Sequence, residues 1–565
     1  MPMQNEVVLD VLIIGAGPCG LAVAARLRER TPSALYTDEE HRRFHWLSRH
    51  GNHYSVKDKR TGRTKPSSTR DSAVTNPSLL ILDNSSDRWM AKWRRQFEAL
   101  KITHLRSPLF FHPSPQDTEA LKAFAHSEDR SDELLEISGC VGKELSKHKK
   151  KKRTNCRKSG DSGNMLILRR IMGSYEIDER DREDYFTPSS KLFDDFCVKL
   201  ATNYSLKEGL IRQESVQQIE YTNFDGGSPV FTVRTNRAVH QSHAVVVAVG
   251  SGDDPVIPAP FPSGICIGAV HSARMMPGRL IDPSLACKIR ARKTTNVLVI
   301  GGGLSSAQIT DAVLGAGVSR VWHLVRGPLR GKRSTVDFCP FQRAIDNRIV
   351  KPFDVDLQWM GKFKNGEKSA FWMADSDEER VQLLREAIGG GSITPRYRKI
   401  LKKHENVDRL TLCAETRVTA QKWSGDSQQW HVESDPPRPT MPAFDFIYFA
   451  TGMQKGLETC HFLEDFQGKF PIHVEHGLPA LTDDLSWRED IPLFVCGKMA
   501  SLRLGPDAGN LGGARAGAER IAVAIKARRE RNERRDSGLM MDNESGRLRY
   551  TAGIGSRYAS LADEG

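Results

Sequence analysis

Apolar residues cluster along this chain in short unbroken runs, not in long alternating stretches. Val7–Ile14, Ala34–Asp38, Ala244–Val249, Asn296–Ile300, Val321–Val325, Phe444–Ala450 and Leu493–Cys496 are the clearest. Short continuous runs bounded by Gly or Pro read as parallel strands buried on both faces. Between them lie segments of helical period: Gly20–Arg30, Asp87–Leu100, Ser190–Tyr204 and Leu511–Arg529. Trp89, Trp93 and Phe97 fall on one face of the second of these and read as core. Leu105–Pro115 is Pro-bounded and extended. The alternation of strands and helices predicts an α/β protein. A chain of 565 residues exceeds a single core, so more than one domain is expected.

Two of the apolar runs end in glycine turns. The first is VLIIGAGPCG at Val11–Gly20, the second VLVIGGGLSSA at Val297–Ala307. In the first, Gly15 permits the tight turn, Gly17 lets the backbone approach a pyrophosphate, and Gly20 allows close helix–strand packing. Pro18 opens the helix, whose free N–H groups and dipole favour phosphate. An acid closing the next strand should hold the ribose hydroxyls; Asp38 fits, with Glu39 as the alternative. The second turn keeps Gly301 and Gly303, has Ser306 in place of the third glycine, and adds Ser305. Its second strand ends in Arg326, with Arg330, Lys332 and Arg333 following. Arginine there would grip a 2′-phosphate that a carboxylate repels, which favours NADPH over NADH. One such turn is weak; two predict one domain for FAD and one for NADPH.

Two runs, VVVAVG ending at Gly250 and IYFATG ending at Gly452, repeat the same strand end, and Thr451 and Gly452 join the cofactor candidates. The stretch Gly497–Glu519 opens a long helix, and Gly497, Gly505, Asp507, Gly509, Asn510 and Leu511 are expected to meet the flavin. The predicted architecture is two Rossmann-like dinucleotide-binding domains, the NADPH domain inserted into the FAD domain. Residues 1–252 and 443–529 form the FAD domain, 253–442 the NADPH domain, and 530–565 a disordered tail. A charge-dense insertion at about 127–184 is expected to be mobile.

The net charge of +13 does not spread over a fold face. Ser146–Lys158 and Lys526–Arg535 carry +12 of it, so nucleic acid is not expected as a substrate. The run Lys149–Arg153 has the composition of a nuclear address and equally that of a solvated loop. Acidic Glu6 and Asp10 before the first apolar run argue against a signal peptide, and glycines and Pro18 within it against a membrane span. A cytoplasmic protein is expected. The ten cysteines include no C-x-x-C pair and no zinc spacing, so inert thiols and no metal are expected.

In motif order from Val7 to Ala527, the chain resembles the class B flavin-dependent monooxygenases. The stretches SSDRWMAKW, HLRSPLFFHPSPQD and LRLGPDAGNL resemble, within that group, the oxidative-stress-induced growth inhibitor family in a fungal-type form. The resemblance implies that NADPH reduces the flavin, that reduced flavin captures molecular oxygen as a C4a-(hydro)peroxide, and that one oxygen passes to N, S or a carbon beside a carbonyl of a small molecule. It places Arg106, Ser107 and His112 near the flavin, and it gives Ser107, His271 and Asn510 as candidate catalytic residues. It also implies an Asp after the strand glycine, where this chain has Lys498. An NADPH oxidase or quinone reductase shares every motif. A redox-sensing growth-regulatory protein is a third reading, kept open by Ser306 and Lys498. Substrate identity and oligomeric state have no readable code.

Overall fold

The computed structural model describes residues 8–31, 76–137, 183–206, 209–222, 229–250, 267–327, 365–388, 393–438 and 440–537, with short pieces at 42, 46, 55–57, 64–66, 252, 254–262 and 264. Asp38, Glu39, Lys149–Arg153, Arg330, Lys332 and Arg333 lie outside the described residues, as does most of the charge-dense insertion.

The first part of the chain supplies β1 (Leu9–Ile14), α1 (Pro18–Arg28), β2 (Leu79–Asp83), α2 (Ala91–Ala99), α3 (Ser190–Asn203), β3 (Ile211–Gln213), β4 (Val216–Thr222), β5 (Val230–Thr235) and β6 (Val239–Val247). A second group follows: β7 (Ala269–His271), β8 (Asn296–Ile300), α4 (Leu304–Gly315), β9 (Arg320–Leu324), α5 (Pro395–Asn406), β10 (Leu410–Cys413) and β11 (Phe446–Phe449). The chain closes with β12 (Ser486–Arg488), β13 (Ile491–Val495) and α6 (Leu511–Ser537).

Two sheets result. The first runs β12-β13-β6-β1-β2-β3, with β5 and β4 added antiparallel beside β6. Leu12 sits between Val245 of β6 and Leu80 of β2, all three strands parallel. The second runs β7-β11-β8-β9-β10 and is parallel throughout. Central strands covered on both faces must be apolar on both, and Val11, Leu12 and Ile13 are each 0% exposed. Each such side chain contributes about 1.5–3 kcal/mol by leaving water. The α/β expectation holds, with helices packed on parallel sheets.

Three boundaries differ from the sequence reading. Phe446–Phe449 pairs with β8 and β7, so this strand completes the second sheet, and the chain returns to the first sheet only after Gly452. The expected division at 442/443 therefore falls too early. The helix expected from Asp87 begins at Ala91, because Met90 adopts a left-handed conformation, φ 64°, that ends the preceding turn. The last helix reaches Ser537, past the expected end at Arg529. α6 packs along α1, where Arg26 Nε pairs with Glu519 at 2.5 Å and Lys526 donates to the Glu29 carbonyl at 3.0 Å. Among the described residues no helix is long and apolar enough to cross a membrane.

Candidate functional site

Both glycine turns open into one cavity of about 1620 Å³ at the carboxyl ends of the two sheets. In the first turn Gly15 has φ +112°, and a Cβ there would sit 2.5 Å from the Ala248 carbonyl oxygen. A Cβ on Gly20 would sit 2.0 Å from the Gly15 oxygen, so helix and turn touch backbone to backbone. A Cβ on Gly17 would meet nothing within 4 Å. That open space lies before the N-terminus of α1, which no side chain caps and where Pro18 stands first. Free amides facing an open cradle suit a pyrophosphate.

The second turn repeats this plan. Gly301, φ +154°, would clash through a Cβ with the Ala450 oxygen at 2.3 Å, whereas Gly303 faces open space. Ser306 is buried, and its hydroxyl donates to the Gly303 carbonyl at 2.6 Å. The serine thus ties the turn together where the first turn relies on Gly20. His323 supports the turn from beneath by donating from Nε2 to the Gly301 carbonyl at 2.8 Å. Gly303 and Ser305 line the cavity; Gly301 and Ser306 stand behind it.

Asp38 and Glu39 lie outside the described residues, and among the described residues the acid at the first turn is Asp83. The strand beside β1 is β2, so its terminal residue, Asp83, occupies the position where an acid meets ribose. Asp83 lines the cavity, and its Oδ2 accepts from the Ala16 N–H at 2.8 Å while Oδ1 accepts from the Ser85 N–H at 2.8 Å. The signal was present in the sequence: LLILD is an apolar run closed by an acid, as ALYTD is. The long polar stretch after α1 delayed it.

The remaining candidates divide. Arg106, Ser107, His271, Gly452, Gly509, Asn510 and Leu511 line the cavity. Thr451 turns away, its hydroxyl donating to the Val256 carbonyl. Gly497, Gly505 and Asp507 do not reach the lining. Asn510 caps α6: its Oδ1 accepts from Gly512 N–H at 2.9 Å and Gly513 N–H at 3.3 Å. That hydrogen bonding gives the Asn510 carboxamide a helix-capping role at the cavity edge. His112 is fully buried off the cavity, donating to the Thr118 carbonyl and accepting from Ser114 N–H. Arg326 lies exposed at the end of β9, outside the lining. Trp89 is core as expected, its indole N–H donating to the Leu206 carbonyl at 3.1 Å. Trp93 and Phe97, expected as core too, stack at 3.9 Å and form an aromatic wall of the cavity.

Some lining residues were missed. α5 carries Arg396, Lys399 and Lys403 at helical spacing, all on the cavity side beside Tyr397. Their periodic placement is visible in PRYRKILKK, but nothing local says that the helix faces a cleft. Glu136 and Asp254 add negative charge to the lining.

Three buried imidazoles are neutral. Burial pushes the His112 pKa down to about 3, and burial pushes His271 and His323 down to about 4, from 6.5. His271 Nδ1 accepts from the Ala273 N–H at 3.1 Å, so its proton rides on Nε2, beside the Gly452 backbone. The unfolded chain protonates these rings as pH falls below 6.5, while the folded chain resists until about 4 at His271 and His323 and about 3 at His112. Their contribution to stability is therefore full above pH 6.5 and lost as pH falls from there to about 4. The loss at pH 5 is about 2 kcal/mol per ring. The melting temperature is expected to drop between pH 7 and pH 5, with all three imidazole ¹⁵N signals still neutral at pH 5. A ring titrating near 6.5 in the folded protein would overturn its assignment.

Residues 182–455 match the family described as L-lysine 6-monooxygenase/L-ornithine 5-monooxygenase. Over that stretch the chain is similar to this family, and it is an FAD- and NADPH-dependent monooxygenase. It depends on FAD, NADPH and molecular oxygen. No curated protein is significantly similar to this monooxygenase in sequence. Its fold is similar to that of ornithine hydroxylase from Pseudomonas aeruginosa, at 16% identity and TM-score 0.53, covering 92% of this chain and 99% of that one. An FAD-bound cadaverine monooxygenase from Erwinia amylovora has 14% identity and TM-score 0.51, with 92% and 95% covered. L-lysine 6-monooxygenase from Pseudomonas syringae has 15% identity and TM-score 0.51, with 92% and 99% covered. At such identities the solved structures speak for the fold of the monooxygenase, and the family match speaks for its chemistry.

Proposed function

We propose that this monooxygenase N-hydroxylates a primary amine. The observation that carries the reading is the family match across the whole second sheet, joined to two open glycine cradles that share one cavity. FAD and NADPH, when bound, would supply the hydride transfer and oxygen activation that the reaction needs. The protein's own part is placement. The α1 N-terminus would hold the FAD pyrophosphate, and Asp83 would hold the ribose. The α4 N-terminus would hold the NADPH pyrophosphate, and Arg326, just past the end of β9, would meet the 2′-phosphate. His271 offers an Nε2–H donor on the second-domain side of the cavity. Trp93 and Phe97 shed water from the site, which protects reactive species. Glu136 and Asp254 suit an ammonium group approaching the cavity, and the α5 cations suit a carboxylate on the same molecule.

The test is product analysis. Purified protein with FAD, NADPH and air is offered lysine, ornithine and linear diamines. A hydroxylamine product in near-equal amount to NADPH consumed is expected. Stoichiometric hydrogen peroxide without N-oxidised product would overturn the reading in favour of an NADPH oxidase. The Ser306 hydrogen bond argues against a degenerate second turn, one ground for a non-catalytic sensor.

Arg326→Asp is expected to raise the KM for NADPH about 10- to 100-fold, the loss of a charge-assisted phosphate contact worth about 1.5–3 kcal/mol. The KM for NADH should change little. Equal effects would remove Arg326 from the 2′-phosphate and turn attention to Arg396 and Lys399. The likeness of SSDRWMAKW and LRLGPDAGNL to the growth inhibitor family is part of the same proposal, and it makes a stress-linked oxidation the natural setting for the activity.

A further inference from the structure

Six cysteines are described, and two of them meet. Cys19 is the second residue of α1, half-buried, and lines the cavity at the FAD turn. Cys496 is buried at the end of β13, where its N–H donates to the Val247 carbonyl at 2.9 Å. Cys19 Sγ lies against Gly497, the residue that follows Cys496, so the chain brings the two thiols together. Glycines make room for both: a Cβ on Gly497 would sit 3.4 Å from Cys19 Sγ, and one on Gly517 would sit 2.9 Å from Cys496 Sγ. The surroundings of the pair are unequal. Cys19 stands in the first turn of an uncapped helix with no acid in that turn, which favours thiolate. The neighbouring Cys496 thiol lowers the Cys19 pKa, whereas Cys496 is raised well above the usual thiol value by the neighbouring Cys19 and by burial. Cys19 also faces a cavity where NADPH and oxygen meet a flavin. Any turnover that misses the substrate releases hydrogen peroxide beside it.

We propose that Cys19 and Cys496 form a peroxide-oxidisable dithiol, and that their disulfide closes the FAD cradle. The Cys19 thiolate attacks hydrogen peroxide, giving Cys19 sulfenic acid and hydroxide, which takes up a proton to become water. The Cys496 thiol then displaces the sulfenic hydroxyl, giving the disulfide and a second water. Two thiols lose two electrons and two protons in total, and one peroxide is reduced to two waters. The bond ties the first turn of α1 to the Cys496–Gly497 corner and draws its amides away from the pyrophosphate position. Bound FAD covers Cys19, so flavin protects the pair, and loss of flavin exposes it. The inference rests on the pyrophosphate reading of the first turn.

The experiment treats the full-length protein, FAD-saturated or flavin-depleted, with graded hydrogen peroxide, then alkylates it and maps peptides without reduction. A Cys19–Cys496 linked peptide is expected in the depleted protein, forming at least tenfold more slowly with FAD bound. The linked protein should fail to take up FAD until dithiothreitol is added. In Cys496→Ser, Cys19 sulfenic acid should be trapped by dimedone, and FAD uptake should survive peroxide. If Cys19 stays alkylatable at peroxide levels that oxidise exposed Cys287, the dithiol proposal is overturned. If the linked protein takes up FAD as well as the reduced protein does, the closure is overturned. If neither form ever takes up FAD, the failure belongs to the pyrophosphate reading, because the linked peptide is scored independently of flavin.

Discussion

Tryptophan in place of Gly17 is expected to give a folded protein that retains no flavin. A Cβ at Gly17 meets nothing within 4 Å, so the fold has no objection to a side chain there. The indole would fill the space in front of the α1 N-terminus, where the pyrophosphate must sit. Far-UV circular dichroism and melting temperature should stay near those of the parent, while the flavin absorbance of the purified protein falls to baseline. Gly20→Ala should behave differently. Its Cβ would lie 2.0 Å from the Gly15 carbonyl oxygen, a backbone atom that cannot yield without moving α1 against β1. Both flavin and stability should be lost, the latter by about 1–3 kcal/mol. Full flavin content in Gly17→Trp would remove FAD from the first turn.

The second large effect is expected at Asp83. Asp83→Ala should weaken FAD binding about 10- to 100-fold, the loss of charge-assisted hydrogen bonds worth about 1.5–3 kcal/mol. Part of the loss comes through the turn itself, since Asp83 Oδ2 also holds the Ala16 N–H at 2.8 Å. Asp83→Asn, which keeps one acceptor, should fall between. Asp38→Ala is the decisive comparison and should leave the dissociation constant within about twofold, measured by fluorescence titration with FAD. A larger loss at Asp38 than at Asp83 would reinstate Asp38 as the ribose ligand.

Much of the fold was legible because its strands are central and parallel. VLII, AVVV, VLV and PLFV are buried on both faces, so they are apolar at every position and stand out from the polar linkers. The same uniformity hid which sheet a strand joins. VVVAVG and IYFATG look alike, yet Val245–Val247 pairs with β1 and β13, whereas Phe446–Phe449 pairs with β8 and β7. Pairing is a choice among partners far away in sequence, and a run of apolar residues satisfies any of them. The aromatic wall was misjudged for a related reason. Trp93 and Phe97 have the spacing of a core-facing stripe, and a cavity wall places the same demand on a helix as a core does.

The residues of the candidate site divide along the same line. The sequence by itself determined that this chain carries two dinucleotide turns, hence a flavin and a nicotinamide partner. The requirement at Gly15, Gly20 and Gly301 is local, since a positive φ or a contact between neighbouring backbones excludes a side chain wherever the motif occurs. The tertiary structure alone decided that Asp83 stands at the first turn, that α5 turns its cations to the cavity, and that Cys19 approaches the Cys496–Gly497 corner. Each of these depends on the distance between segments widely separated along the chain. That distance is set by how the sheets pair and the helices pack over them, which no short stretch of residues encodes.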